Sequence, residues 1–539
     1  MATLGIARRV PLAITGAWRR FAQDPARGRA ALERAVPALA AESGEGPLRR
    51  FDYAIARDRL DDARAALIDL SVDDPARESC ALAVDVLSGS LSTPAVARPR
   101  DARGRRAVRA ARRQLATLGV PIAPGEHRRA ARPGRGARRE GALGVLHVVT
   151  NSLPVTQAGS TIRTQRVARA QRDAGWDAHV VTRPGYPVTH GDLRSPNPQI
   201  LDGVPYHRLL PLVMPSDTGM RAAYSRMLGA LVDDLRPDVL HAASDHVNAA
   251  VALEVGRRHG LPVAYEARTF FEDTWLARHG GEAVRESEVY QLLRQRHTEA
   301  LLGADVITTL GQGMRDEIIR RGVDPARVFI TPNAVPLEFL APRDQSASRA
   351  RLGIAGAFVV GSVATINDDE GLDTLVDAVA LLRTGGLDAR ILIVGDGPAM
   401  APLQSRAEAV GVPIQAPGRV PVATVRDWYD ALDVFALPRR DTAVNRAVTA
   451  LKPLEAQARG IPVVGSDLPA VAEVLAPHSR LTPAGDVAAL ADALSALADP
   501  DERAEAGGQA RAWVAQHRTW PSVMGTYRDA YSFLGALRG

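Results

Sequence analysis

Hydrophobic and polar positions change rhythm twice along this chain. Up to about residue 115, apolar side chains recur every three or four positions in an alanine- and arginine-rich background. Between Arg57 and Leu70 the stripe runs Leu60, Ala63, Leu67 and Leu70, the spacing of one helical face. From 121 to 141 the sequence turns to Pro, Gly and Arg with hardly an apolar residue, which reads as a linker. At Val145 a new regime opens. Short apolar runs lie at 145–149, 178–182, 239–241, 262–265 and 306–309, with helix-like stretches such as 161–174 between them. A second series follows at 358–363, 391–395, 434–437 and 461–464. Strand and helix in alternation predict a parallel, doubly wound sheet, here twice over. Ligands of such sheets gather at the carboxyl ends of the strands. The stretch 513–537 has helical composition with a break at Pro521.

Length agrees with this division, because 539 residues exceed what one core supports. Charge sharpens it. Residues 1–140 carry 27 arginines against 16 acids, and the rest of the chain is mildly acidic. A basic front admits nucleic acid, an anionic membrane face or an acidic polymer as partner, or merely a solvated helical surface. Cys80 is the single cysteine, so a disulfide framework and multi-cysteine metal sites are excluded. No apolar run is long enough to span a bilayer. The run from Val10 to Trp18 is followed by Arg19 and Arg20 rather than by small residues, and reads as an amphipathic helix, not a cleaved leader. The expected location is cytoplasmic, with peripheral contact at the inner membrane face through the basic front.

Candidate chemistry starts from Lys452, the sole lysine among 67 basic residues. A compact ammonium makes a point contact to a phosphate oxygen that a planar guanidinium does not reproduce. Glu455, three positions on, shares its helical face. Gly159 and Ser160 lie in the loop after the first strand of the first series, where backbone N–H groups can approach a phosphate. His241 closes the 239–241 strand, Glu266 and Arg268 end the next one, and Arg439 and Arg440 follow the strand ending at Leu437. Taken singly, these residues also fit a surface glutamate, a loop glycine, a core histidine and a mutual salt bridge.

Their order along the chain resembles the retaining GT-B glycosyltransferases of family 4. The resemblance rests on Val394-Gly395-Asp396-Gly397-Pro398, on Lys452-Pro453-Leu454-Glu455-Ala456 followed by Gly460-Ile461-Pro462-Val463-Val464, and on Glu473 in the next turn. In the first half it rests on Leu146-His147-Val148, Gly159-Ser160-Thr161-Ile162-Arg163-Thr164, Tyr265-Glu266-Ala267-Arg268 and Glu272-Asp273-Thr274. It covers roughly 145–535 and implies an α/β GT-B fold: two Rossmann-like domains facing a cleft, preceded by an α-helical extension. The expected layout is a helical basic extension at 1–120, a linker at 121–142, an acceptor domain at 143–340, a donor domain at 341–510 and a C-terminal helix at 511–539 crossing back.

The implied reaction moves a sugar from a UDP- or GDP-linked donor to a hydroxyl of a glycan or lipid-linked saccharide, with retention and without a metal or other cofactor. The resemblance implies Lys452, Glu455 and His241 as catalytic residues. Gly159, Ser160, Val420, Arg439, Lys452 and Glu455 would hold the donor, Val420 at the nucleobase. Arg163, Glu266 and Arg268 would line the acceptor side of the cleft.

Three departures stand against this. The acidic residue usual several positions before Glu455 is replaced by Arg446 or Ala447, with Asp441 further upstream. Ala364-Thr365-Ile366 and Glu370-Gly371 stand where relatives carry two phosphate-binding cations. Ala243 occupies a frequent second histidine position, with His246 nearby. Two other functions therefore stay open: a catalytically degenerate scaffold of glycan assembly, and a nucleotide-sugar 2-epimerase.

Overall fold

The structure is a computed structural model that describes residues 46–56, 59–123, 142–354 and 356–535. The run from Val10 to Trp18 and most of the expected linker lie outside the described residues. The chain divides into two compact units. Ile307 closes the main segment of the first, to which Arg321–Val323 and the segment from Tyr531 also belong. The second comprises Thr308–Arg320 and Asp324–Ala530.

Fourteen strands are numbered in chain order. The first sheet contains β1 (Gly144–Val149), β2 (Asp177–Thr182), β3 (Gln199–Leu201), β4 (Val204–Arg208), β5 (Val239–Ala243), β6 (Val263–Ala267), β7 (Val306–Thr309) and β8 (Val328–Ile330). Its order is β3-β4-β2-β1-β5-β6-β7-β8. The pairs β1–β2, β1–β5, β2–β4 and β5–β6 are parallel, and only the hairpin β3–β4 is antiparallel among the paired strands so far named. That hairpin turns on Asp202 and Gly203, both at positive φ, the backbone a two-residue type I′ turn requires. The second sheet contains β9 (Phe358–Val363), β10 (Ala389–Val394), β11 (Ile414–Gly418), β12 (Val434–Leu437), β13 (Val463–Ser466) and β14 (Arg480–Thr482). It runs β11-β10-β9-β12-β13-β14, parallel throughout.

Strand order reverses between β1 and β5 in the first sheet and between β9 and β12 in the second. Such a switch point splays the loops at the carboxyl ends apart and opens a crevice there. Both sheets are buried on two faces, so their central strands read as continuous apolar runs rather than alternating ones. All six residues of β1 and all six of β9 are buried. In β1 that includes His147, set opposite His241 of β5 in the parallel register.

The helical front is built into the first unit. Phe51, Leu60, Leu70 and Cys80 share one core with Leu276, Val284 and Tyr290, and Leu91, Ala107 and Ala111 share another with Val289. Polar bonds tie the same elements together. Glu288 Oε2 accepts from the N–H groups of Leu91 and Ser92 at 2.5 and 2.7 Å, and Glu299 Oε2 accepts from the N–H of Ile122 at 2.7 Å. Burying apolar surface contributes about 25 cal/mol per Å², so this layer closes a face of the first unit that would otherwise lie open to water. The C-terminal stretch forms helices Pro500–His517 and Trp520–Phe533. Pro521 sits in the first turn of the latter and begins it rather than breaking it, as expected for a residue whose missing N–H has no helical partner there.

Candidate active site

In the second unit the switch point is bounded by the loop after β9 and the loop after β12. These loops touch at Gly371, which has φ +65° and whose added Cβ would fall 2.0 Å from Pro438 O. Only glycine fits there. The contact brings Glu370 to Arg439, whose Nε and Nη2 donate to its two carboxylate oxygens at 3.2 and 3.1 Å. Arg439 Nη1 also donates to Val448 O at 3.3 Å. Arg440 is held by Asp373 and by Asp368 O. Burial, with Glu370 alongside, raises the carboxyl of Asp369 above its ordinary range. A loop bearing Asp368, Asp369 and Glu370 thus stands where relatives are expected to carry cations, and Arg439 and Arg440 are the positive charges brought to it.

Lys452 opens helix Lys452–Ala458, and its Nζ donates to Glu455 Oε2 at 3.0 Å. Tyr429 OH donates to the same oxygen at 2.7 Å. Glu455 is fully buried, whereas the Lys452 side chain is 27% exposed. An ammonium carries three donors, and the bond to Glu455 uses one of them. Tyr429 is fully buried among Phe339 and Phe435 and had no signal in the sequence. Val420 lies in the loop after β11, half-buried against the core of the second unit. Arg446 is exposed and forms a two-pronged pair with Asp441, both contacts at 2.5 Å. The acid nearest the missing glutamate is therefore already engaged. Glu473 accepts the N–H of Gln312 on both oxygens, at 3.0 and 2.9 Å, so it closes the start of helix Gln312–Arg320. A pocket of about 220 Å³ opens beside the same switch-point loop, between Asn367, Asp368, Leu372, Leu403, Arg406 and Arg440; Lys452 and Glu455 do not line it.

In the first unit, Gly159 and Ser160 are exposed at the start of helix Gly159–Asp173, where the N-cap residue Ala158 offers no capping side chain and its N–H donates to Thr161 Oγ1 at 3.0 Å. No atom lies within 4 Å of where a Gly159 Cβ would be, and its φ is not positive. Neither strain nor crowding therefore requires glycine there. Directly behind is a buried charge network. Arg163 donates to Glu266 Oε1 from Nε and Nη2 at 3.0 and 2.7 Å. Arg268 Nε donates to Glu266 Oε2 at 2.7 Å, and its Nη1 donates to Ser160 O and Thr164 Oγ1, both at 2.8 Å. His241 Nδ1 meets Tyr531 OH at 2.6 Å, and its Nε2 lies 3.5 Å from Glu266 Oε2. The His147 ring lies 4.6 Å from that of His241, tilted by 43°, and bonds Gln171 at 2.6 Å.

Burial works against the Glu266 carboxylate, yet Arg268, Arg163 and His241 outweigh it and hold the group well below its usual range. Burial, reinforced by His241, pushes the His147 pKa down to about 3, so its ring is neutral. The structure thus brings Arg163, Glu266, Arg268 and His241 together, all at or below 6% exposure, as one interlocked cluster beneath the Gly159 loop. His246 is partly buried, with burial lowering its pKa. Among the described residues no group of three or more metal-ligating side chains converges, and no helix is long and apolar enough to cross a membrane.

Two doubly wound parallel units in one chain, each open at its switch point, define the GT-B class of glycosyltransferase folds. Two family models match in sequence: "Glycosyl transferase 4-like domain" over residues 158–334 and "Glycosyl transferases group 1" over residues 357–499. The chain belongs to this glycosyltransferase family. It is 32% identical over 189 residues to the GDP-mannose-dependent monoacylated alpha-(1-6)-phosphatidylinositol monomannoside mannosyltransferase of Corynebacterium glutamicum, covering 34% of this chain and 49% of that one. It is 28% identical over 229 residues to the lipopolysaccharide core biosynthesis mannosyltransferase LpsB of Rhizobium meliloti, covering 40% and 61%. The chain thus spans about half to three-fifths of the length of these relatives. Among solved structures, sucrose-phosphate synthase from Thermosynechococcus elongatus superposes with a TM-score of 0.59 at 18% identity, over 73% of this chain and 99% of that one. At that identity the likeness is one of fold. Neither family model extends into the helical front at residues 46–123.

Proposed function

We propose that the protein is a retaining glycosyltransferase of cell-envelope glycan or glycolipid synthesis. It takes a nucleotide-diphosphate sugar as donor and a hydroxyl of a glycan or lipid-linked saccharide as acceptor. The observation that carries this reading is Lys452, a part-exposed side chain whose ammonium is oriented by a fully buried Glu455 that Tyr429 also holds. Charge grows on the diphosphate as the glycosidic bond breaks, and a pre-placed ammonium stabilises it more in the transition state than in the ground state. Glu455 has the acceptor oxygens to receive ribose hydroxyls. Arg439, held by Glu370, would supply the second positive charge, and the N–H groups at Gly159 and Ser160 a further phosphate contact. Val420 would meet the nucleobase.

In the proposed step the acceptor oxygen bonds to the anomeric carbon on the face the diphosphate leaves. The bond to the diphosphate oxygen breaks, and that oxygen takes the acceptor's proton. No protein carboxylate pair is then needed, unlike in glycoside hydrolysis, and the reaction is metal-independent. His241 belongs in this reading with Glu266, Arg163 and Arg268, the first unit's cluster proposed to bind the acceptor. Because the relative from Corynebacterium glutamicum is by name GDP-mannose-dependent, that donor heads the panel to be tried.

The test is thermal stabilisation and slow hydrolysis over a panel of GDP- and UDP-sugars, with the native chain beside Lys452→Ala. One donor should stabilise and be hydrolysed by the native protein only. Equal stabilisation of both proteins would remove Lys452 from the site. Binding without turnover would favour the scaffold reading, to which the Arg446–Asp441 pair in place of the missing glutamate lends support.

A further inference from the structure

One surface of the helical front carries charge that no carboxylate among the described residues answers. Helix Ala102–Leu118 contains six arginines and no acidic residue. It buries Gly104, Ala107, Val108 and Ala111. Arg105, Arg109 and Arg112 face outward at four- and three-residue intervals, one ridge of the helix, with Arg106 exposed beside them. Arg105 Nη1 donates to Arg100 O at 2.9 Å, and Arg112 Nε donates to Ala95 O at 2.7 Å. These two bonds lay the segment 95–100 along the ridge. The segment adds exposed Arg98 and Arg100, and Val96, an apolar side chain left 75% exposed.

Arg103 is neutralised by Asp52, and Arg113 lies 3.9 Å from Asp217. The other six arginines of this surface form no ion pair with a carboxylate among the described residues. Asp101, the acid within the patch, is occupied in capping the helix through the N–H of Gly104 at 2.8 Å.

We propose that this ridge docks the protein onto a bilayer bearing anionic phospholipid. Each guanidinium near such a surface gains about fivefold in binding, and a row of them binds the leaflet rather than a single headgroup. Two observations favour lipid over nucleic acid. Val96 stands exposed among the arginines, where arginine stems and an apolar side chain can enter the headgroup boundary together. No aromatic residue lies between Ala95 and Leu118 to stack on bases. The proposal rests on the envelope-glycan reading only in placing the acceptor at a membrane; the charged surface itself is independent of it.

The test is co-sedimentation of the full chain with phosphatidylcholine vesicles, with and without phosphatidylglycerol, at low and high salt. Binding should require phosphatidylglycerol and weaken steeply with salt. Arg105→Gln with Arg109→Gln should reduce it about 25-fold, and Val96→Asp should reduce the part that survives high salt. All three substitutions are on exposed positions, and an unchanged melting temperature confirms the fold. Equal binding to neutral vesicles, or binding that the double substitution leaves intact, overturns the proposal. So does duplex DNA displacing the protein from vesicles at lower concentration than phosphatidylglycerol retains it. Donor stabilisation, followed in the same samples, reports on the glycosyltransferase reading separately: vesicle binding without it would leave the docking face standing and sink the enzyme.

Discussion

Two buried glutamates, one in each unit, solve different problems. Glu266 is surrounded by Arg163, Arg268 and His241, and both its oxygens are engaged by charged donors. Glu455 accepts from Tyr429 and from Lys452, whose side chain is part-exposed. A carboxylate held on both oxygens by buried guanidiniums has no oxygen left open, and any ligand must displace an existing partner. A carboxylate with one part-exposed cation holds that cation in place without exhausting it. The first arrangement fits architecture and positioning, the second fits binding.

The largest expected effect tests that division through stability. Glu266→Gln leaves two guanidiniums buried without a counter-charge and should cost about 3–5 kcal/mol; Glu455→Gln, beside a part-exposed lysine, should cost about 1 kcal/mol. Denaturant titration of both variants measures this, and equal costs would erase the contrast. Function should show the reverse ranking. Lys452→Ala should lower donor turnover about 10²–10³-fold and stability by less than about 1 kcal/mol. Lys452→Arg should not restore the rate, because the flat guanidinium cannot occupy the same point contact. Full activity in the arginine variant would contradict the role given to the ammonium.

A pH experiment sharpens the comparison from the side of the first unit. His147 titrates near 3 in the folded protein and near 6.5 when unfolded. Between those values the unfolded chain binds the extra proton, so stability falls as pH drops through that window, by up to about 1.4 kcal/mol per pH unit. Glu266, whose folded pKa is depressed, adds stability that is present above the unfolded carboxylate pKa and lost as pH falls toward the folded value. His147→Gln should flatten the slope between pH 6 and pH 5, roughly the range where only the histidines titrate. An unchanged slope would mean that His147 does not contribute. The smallest effect is expected from Gly159→Ala. Its new methyl meets nothing within 4 Å, so stability should move by less than about 0.5 kcal/mol. Donor affinity should fall several-fold if phosphate lies against that edge, and unchanged affinity would move the phosphate elsewhere.

Much of the frame was legible because strands buried on both faces must be apolar throughout. The runs at 306–309, 358–363 and 434–437 coincide with β7, β9 and β12. The hairpin β3–β4 was missed although Asp202-Gly203 carried its turn signal; β3 is only three residues long and half-exposed. The pairing of Lys452 with Glu455 was expected from their spacing and is present at 3.0 Å. Tyr429, Tyr531 and the Glu370–Arg439 pair were not legible. Their partners lie 26, 290 and 69 positions away in sequence, and no local pattern records such a meeting.

The sequence by itself determined which segments become strands and helices, which half of the chain is basic, and which lone ammonium sits three residues from a carboxylate. Those properties depend on the order of neighbours and on the period of burial. Only the tertiary structure decided that the helical front closes the first unit's core, that Glu370 is answered by Arg439, and that His241 lies sealed beside Tyr531. These are consequences of packing, in which charges buried together must find partners wherever the fold delivers them.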